Sequence, residues 1–385
     1  MAGNFTFRVP GEIHFGAGSI ARLGELIKNF GRRKVLLVVD PGFAKAGPLR
    51  KITDSIGNAG IGWVPFDGVE PEPRIETADR CGEVARKEGC DFVLGIGGGS
   101  AMDTAKAAAI LATNRGSARD YQGLNKVPEP GLPKAMIPTT AGTGSEVTFT
   151  AVFINEDEKK KAGINSPFLY PELSILDPEL TFGLPPAITA STGMDALTHA
   201  IESYTSKAAS PMSEMYGEEA IRRIGRSLRR AVERGSDGSA RSDMLLGSLL
   251  GGIGLANAGV TAAHSLAYPL GGMFRIPHGV ANAMLLPPVM AYNALAAPEK
   301  FAKVAEWMGE KVEGLSVKEA ALRAVDAVRR LAKDVAIPQR LSDLGIPASS
   351  ISQMAAEALK VARPLENNPR PLGLNDAIQI YQSIF

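Results

Sequence analysis

The pattern of apolar and polar positions divides the chain into two halves of different texture. In the first half, short apolar runs alternate with amphipathic stretches. Residues 5–9 and 12–15 alternate in polarity on either side of Pro10-Gly11, which predicts a short hairpin. Residues 34–40 (KVLLVVD) form a continuous apolar run closed by Asp40, as expected of a parallel strand covered on both faces. Amphipathic helices are predicted near 19–30, 44–58 and 75–89, and strands near 61–66, 91–97 and 149–154. Strands alternating with helices point to a doubly wound α/β domain. After Gly183-Leu184-Pro185-Pro186 the strand-like runs vanish and helical periodicity takes over. Helices are predicted at 187–205, 211–234, 238–257, 260–268, 278–296, 298–308, 316–334 and 348–361, with Asn375 capping a last one through Ile384. The expected architecture is an α/β domain with a parallel doubly wound sheet over 1–184, followed by an all-α domain over 185–385.

Two glycine-rich loops lie in the α/β half. Gly97-Gly98-Gly99-Ser100 joins an apolar strand directly to a helix that begins Ala101-Met102-Asp103. Glycine lets the backbone approach a phosphate, and a helix N-terminus offers free N–H groups and a positive dipole end. This turn is neither the G-x-G-x-x-G fingerprint nor placed after the first strand, so its spacing alone does not make it a dinucleotide turn. The second loop, Pro138-Thr139-Thr140-Ala141-Gly142-Thr143-Gly144-Ser145-Glu146, adds hydroxyls and flexible backbone. Two such loops in one α/β domain suit a dinucleotide with its pyrophosphate between them.

Composition narrows the classes. With 385 residues there is room for two domains, and 42 Lys+Arg against 41 Asp+Glu gives no electrostatic case for nucleic acid or an anionic membrane surface. No apolar run approaches the ~18 residues of a membrane span. The N-terminus shows no secretion signal, and two cysteines, Cys81 and Cys90, give no disulfide framework. A reducing, cytoplasmic setting is expected.

The chemistry concentrates in the helical half. Asp195 and His199 are four residues apart in a predicted helix, which puts both side chains on one face. A carboxylate and an imidazole converging from one turn form half of a divalent-metal site. Two more of the chain's four histidines, His264 and His278, follow in Gly-flanked, largely apolar segments. Asp195, His199, His264 and His278 would make a set of one carboxylate and three imidazoles, leaving room for a substrate oxygen. The fourth histidine, His14, reads as a strand residue.

These segments carry a family resemblance. G-M-D-A-L-T-H-A-I-E (193–202), A-H-S-L-A-Y-P-L-G-G (263–272) and P-H-G-V-A-N-A (277–283) together resemble the iron-containing (group III) alcohol dehydrogenases, co-linearly over essentially the whole chain. The resemblance implies a dehydroquinate synthase-like architecture with cofactor and metal in the cleft between the halves. It also implies reversible hydride transfer between NAD(H) and a small primary alcohol or aldehyde. Fe²⁺ is the expected metal, although the ligand set would also accept Zn²⁺. By the same resemblance Gly97, Gly98, Ser100 and Asp103 belong to the pyrophosphate turn. Thr139, Thr140, Thr143, Ser145 and Thr148 line the cofactor cleft, with Lys161 and Leu180 beside the cofactor. Asp40 contacts the adenosine ribose, where a carboxylate disfavours a 2′-phosphate and makes NADP the lesser choice. Phe149 and Thr150 would follow the nucleotide loop into the substrate pocket. Tyr268, one turn after His264, stands where many relatives carry histidine and would be a pocket wall or a hydrogen-bond donor. Arg275 also replaces a frequent histidine and is expected at the surface or the cofactor side rather than on a substrate carboxylate. Self-association as a dimer or larger homo-oligomer is expected. Two other enzymes of this architecture stay open, a zinc glycerol dehydrogenase and dehydroquinate synthase. The latter is a lyase requiring several basic residues, yet Arg275 is the only Lys or Arg between 260 and 282. A non-catalytic nucleotide-binding protein is a third reading, disfavoured by the four-ligand set.

Overall fold

A computed structural model of the chain describes residues 4–9, 11–45, 48–155 and 160–385. It resolves into two compact units, Val9–Gly183 and Leu184–Phe385, the second joined by the N-terminal residues up to Arg8.

The α/β unit runs β1 (Glu12–Phe15), α1 (Leu23–Asn29), β2 (Lys34–Val39), α2 (Pro41–Lys45), α3 (Leu49–Asn58), β3 (Gly62–Phe66), α4 (Ile75–Lys87), β4 (Phe92–Gly97), α5 (Gly99–Thr113), β5 (Gly123–Leu124), β6 (Lys134–Pro138), β7 (Thr150–Asn155), β8 (Lys160–Asn165) and β9 (Leu173–Leu176). Six strands form a parallel sheet in the order β1-β9-β6-β4-β2-β3, and β5, β8 and β7 form a second, small sheet. The alternation of side chains along a strand explains why β2 is apolar throughout. Val35, Leu37 and Val39 pack with Leu26, Ile27, Ile52 and Ile56 of α1 and α3. Leu36 and Val38 pack on the other face with Cys81, Ala85, Met102 and Ala105 of α4 and α5. From β2 the chain crosses outward to β3, then returns to lay β4 on the other side of β2. That reversal is a topological switch point, where open α/β sheets bind ligands beyond the carboxyl ends of their strands.

Several local expectations are corrected. Among the described residues, 5–9 form no strand and there is no hairpin about position 10. Instead β1 joins the sheet parallel to β9, and the preceding segment packs in the helical unit, where Asn257 brackets Arg8 through both backbone groups at 2.7 and 2.9 Å and Phe7 stacks on Tyr216. The helix expected over 44–58 is two, α2 and α3, with Pro48 at the N-cap of the second. The tip of the β7–β8 hairpin, residues 156–159, lies outside the described residues.

The helical unit comprises α6 (Pro186–Thr205), α7 (Pro211–Glu233), α8 (Gly238–Ala258), α9 (Ala262–Phe274), α10 (His278–Asn293), α11 (Pro298–Trp307), α12 (Val317–Asp334), α13 (Ile351–Ala358), α14 (Ala362–Asn367) and α15 (Leu374–Gln382). The last helix starts at Leu374 with Gly373 at its N-cap, not Asn375, because Asp376 reaches back to accept the Gly373 N–H at 2.8 Å. Helix α6 is buried almost throughout its second half and packs against α7, α8 and α10. Small residues permit the close approach. A methyl group at Gly193 would strike Leu228 of α7 and Met244 of α8, and one at Gly279 would collide with the Ser191 carbonyl. Among the described residues no single helix is long and apolar enough to cross a membrane.

The α/β unit is closely packed where α5 lies on β4. A Cβ at Gly95 would stand 2.7 Å from Ala105 Cβ and 2.7 Å from Met136 Sδ. Gly95→Ala should therefore cost about 1–3 kcal/mol through overpacking. Chemical denaturation should show a lower midpoint at unchanged m-value; an unchanged midpoint would contradict the packing described.

Candidate functional site

In the helical unit the sequence spacing becomes a cluster. Asp195 and His199 leave one face of α6, and His264 enters from the first turn of α9. One ligand atom from each lies within 4.8 Å of the others, and all three residues are buried. The His199 and His264 rings stack with centroids 4.8 Å apart. His278, first residue of α10, sits at the rim: its Nε2 is 3.9 Å from Asp195 Oδ1, its ring 5.4 Å from that of His264, and its side chain 32% exposed. The backbone contact at Gly279 is what lets α10 deliver this residue beside α6. Burial works to raise the Asp195 carboxyl, but the imidazoles of His199, His278 and His264 and the Asn282 amide outweigh it and hold it below the usual range.

Glu202 extends the same face of α6 at the i+7 position from Asp195. Its Oε2 lies 2.5 Å from His264 Nδ1. Its Oε1 accepts from the Thr261 hydroxyl at 2.5 Å and the Ala263 N–H at 2.7 Å, capping the start of α9. Burial alone would raise the Glu202 carboxyl, yet the charge and hydrogen bond of His264 and the Thr261 bonds bring it below its ordinary value. In the neutral ring, the Glu202 carboxylate makes Nδ1 the protonated nitrogen of His264, and Nε2 then presents a lone pair to the cluster. An ionised carboxylate and converging imidazoles, one with its tautomer fixed, are a donor set that fits a divalent cation.

The other expected site lies at the switch point of the α/β unit. Because β2 and β4 are neighbours, Asp40 meets the glycine turn: a Cβ at Gly97, whose φ is 147°, would be 2.7 Å from Asp40 Cβ. The second loop closes over the same turn. Thr139 N–H bonds the Gly97 carbonyl at 3.0 Å, and a Cβ at Gly98 or Gly99 would come within 3.5 Å of Thr140 Oγ1 or 2.9 Å of Thr143 Cγ2. Below it, Ser145 Oγ donates to Asp103 Oδ1 at 2.6 Å, and Asp103 also accepts the Val152 N–H. Lys106, fully buried, donates to the Ser145 carbonyl at 3.0 Å, to Thr148 Oγ1 at 3.2 Å and to the Thr150 carbonyl, with Asp103 Oδ1 at 3.1 Å as counter-charge. The free N–H groups of α5 thus open onto a turn stripped of side chains, a geometry suited to a pyrophosphate.

Family models for "Iron-containing alcohol dehydrogenase" and "Fe-containing alcohol dehydrogenase family, C-terminal" match residues 10–178 and 189–385. The chain is 44% identical over 384 residues to 1,3-propanediol dehydrogenase of Citrobacter freundii, covering 99% of each chain. Its fold superposes on a crystal structure of 1,3-propanediol oxidoreductase with a TM-score of 0.97 at 43% identity, covering 100% of both chains. It also superposes on sulfoacetaldehyde reductase from Bifidobacterium kashiwanohense in complex with NAD⁺, with a TM-score of 0.91 at 31% identity and 99% coverage of each. The chain belongs to the iron-containing alcohol dehydrogenase family. It is an oxidoreductase, and the parallel sheet followed by a helical region is the family's architecture.

The structure gives the other residues named by the family resemblance the following surroundings. Leu180 is buried in the sheet core with Val39, Ile96 and Ile137. Lys161 pairs with Glu72 at 3.3 Å, and the Glu72 N–H reaches Ser100 Oγ at 3.3 Å, which ties the hairpin to the glycine turn. Phe149 packs against Tyr170, and Thr150 donates to Asn165 Oδ1 at 2.8 Å, so both support the β7–β8 hairpin. Tyr268 is half-buried one turn beyond His264, with its phenol pushed up by burial. Arg275 is exposed and ends α9 in a left-handed conformation with φ 57°. His14 pairs with Glu12 on β1. The sequence reading missed Glu202, Asn282 and Lys106. The signal for the first two was present: Asp195, His199 and Glu202 fall at i, i+4 and i+7, and Asn282 follows His278 by four.

Glu146, buried beside Lys106, carries a titration that can be measured. Burial raises its carboxyl to about 7, against smaller opposing effects of its own N–H and Lys106. The folded-state value lies above the ordinary 4.5, so the protonated form stabilises the fold at low pH, and that stability is lost as pH rises through about 7. Glu146→Gln should therefore gain stability relative to wild type between about pH 5 and about pH 8, by up to ~3 kcal/mol. A difference in unfolding free energy that stays constant with pH would contradict this assignment.

Proposed function

We propose that this chain catalyses reversible hydride transfer between NAD(H) and a small primary alcohol or its aldehyde, with a divalent metal held by Asp195, His199, His264 and His278. The convergence of Asp195, His199 and His264, with Glu202 fixing one imidazole, carries this reading. The metal would polarise the alcohol or carbonyl oxygen, lowering the alcohol's pKa or activating the aldehyde. Asp195 supplies the negative charge that offsets the cation, and Glu202 keeps the His264 Nε2 lone pair on the metal side. Iron is our choice because of the family to which the chain belongs. Zinc fits the same donors and binds such sites more tightly as a rule.

On the cofactor side, the N-terminus of α5 and the Gly97–Gly99 turn would take the pyrophosphate, and Thr140 and Thr143 would close over it. Asp40 would accept the ribose hydroxyls and disfavour a 2′-phosphate, which makes NAD the cofactor. The NAD⁺ complex of the sulfoacetaldehyde reductase and the propanediol activity named for the Citrobacter relative support NAD and a short diol or its hydroxyaldehyde. Tyr268, one turn from His264, would border the substrate. Self-association is supported by apolar side chains exposed on the helical unit, Phe5 at 48% and Met215 at 66%. A reducing cytoplasm suits the two free, buried cysteines.

Two variants test the assignment. His264→Ala should purify folded but with far less than one bound metal per chain and no measurable hydride transfer. Normal metal content in that variant would remove His264 from the ligand set. Asp40→Gly should lower the preference for NAD over NADP by roughly tenfold, about 1.4 kcal/mol. Selectivity equal to wild type would take Asp40 out of cofactor recognition.

A further inference from the structure

Asn282 follows His278 by one turn of α10, so the two side chains share a face. It is fully buried. Its Nδ2 lies 2.7 Å from Asp195 Oδ1, 3.1 Å from His264 Nε2 and 3.1 Å from His278 Nε2. Its Oδ1 is buried and meets no donor. The orientation of the amide follows from its neighbours rather than from its own shape. Asp195 Oδ1 and, in the tautomer that the Glu202 bond favours, His264 Nε2 are both acceptors. A carbonyl oxygen turned toward them would face two acceptors at once, so the NH₂ group must point into the cluster. Leaving Oδ1 without a donor costs about 1–3 kcal/mol, and the bonds of the NH₂ group have to outweigh that cost.

We infer that Asn282 is the positioning residue of the metal site. The inference rests on the metal reading above. By donating to Asp195 Oδ1, the amide fixes the carboxylate and leaves its second oxygen for a cation. Its NH₂ group also lies between the imidazoles of His264 and His278, drawing two ligands from different helices to one point. A divalent cation and the one amide hydrogen not donated to Asp195 would claim the same imidazole lone pairs. Asn282 therefore holds the ligands converged when the cation is removed and yields the two histidines when it returns, while keeping its bond to Asp195. The sequence signal is the four-residue step from His278.

The test strips full-length wild type, Asn282→Ala and Asn282→Asp with chelator under anaerobic conditions, then titrates each with Co²⁺. Affinity is read by competition with a chromophoric chelator, and ligand geometry by the Co²⁺ absorption bands. Asn282→Ala should bind Co²⁺ about 10–100-fold more weakly, with altered bands. Its melting temperature should fall further below wild type in the loaded form than in the stripped form, because weaker binding stabilises the folded variant less. Asn282→Asp keeps the size but replaces the donor by an oxygen facing Asp195. It should show the same greater loss in the loaded form, and it carries the test if the alanine variant does not fold. Wild-type affinity and bands in both variants, or equal losses of melting temperature with and without metal, would reduce Asn282 to packing and overturn the inference. If wild type itself takes up no Co²⁺, the metal reading falls and this inference falls with it.

Discussion

The hydrogen bond between Glu202 and His264 ties the chemistry of the helical unit to its packing. A carboxylate buried this deeply costs several kcal/mol unless its charge and lone pairs are met. Here the Thr261 hydroxyl, the Ala263 N–H and the His264 ring meet them together. The same contacts dock the start of α9 on α6 and decide which imidazole nitrogen faces Asp195 and His199. Fold and ligand set are thus not separable at this point. A change that loosens α6 from α9 alters the tautomer as well as the geometry, and the glycines that let α7, α8 and α10 approach α6 leave little freedom for compensation.

The α/β unit solves a similar problem with different means. Its glycine turn and threonine loop carry few side chains that could fix them, so their rigidity comes from beneath. Lys106 and Asp103 supply it, the ammonium gathering the Ser145 and Thr150 carbonyls and the Thr148 hydroxyl, the carboxylate taking Ser145 Oγ and the Val152 N–H. Burial lowers the Lys106 pKa, and the neighbouring Asp103 carboxylate offsets only part of that. A loop held from below leaves its upper surface of backbone N–H groups and hydroxyls for a ligand.

Much of this was legible in the chain. The apolar run of β2 announced a strand covered on both faces, and the four-residue step from Asp195 to His199 announced a shared helix face. What the sequence hid was mostly pairing across distance. Nothing local shows that Asp40 and Gly97 touch, because that follows from the order of strands. The alternating residues 5–9 look like a strand, yet without a ladder partner they pack in the helical unit instead. Glu202 was within reach of periodicity alone. The donor role of Asn282 was not, since it depends on the Glu202 bond that fixes the His264 tautomer. The family resemblance carried the nucleotide and metal assignments further than spacing could. It left unseen that Leu180 packs in the sheet core and that Lys161 is tied to Glu72.

On the function proposed above, hydride transfer depends on a single metal at this cluster. Its most direct test is to strip the purified protein with chelator under anaerobic conditions and follow NADH consumption with short aldehydes while Fe²⁺ is returned. Turnover should be absent after stripping and recover in proportion to bound metal, saturating at one ion per chain. Undiminished turnover in protein shown to be free of metal would contradict the account, as would full metal and NADH binding with no turnover on any aldehyde tried.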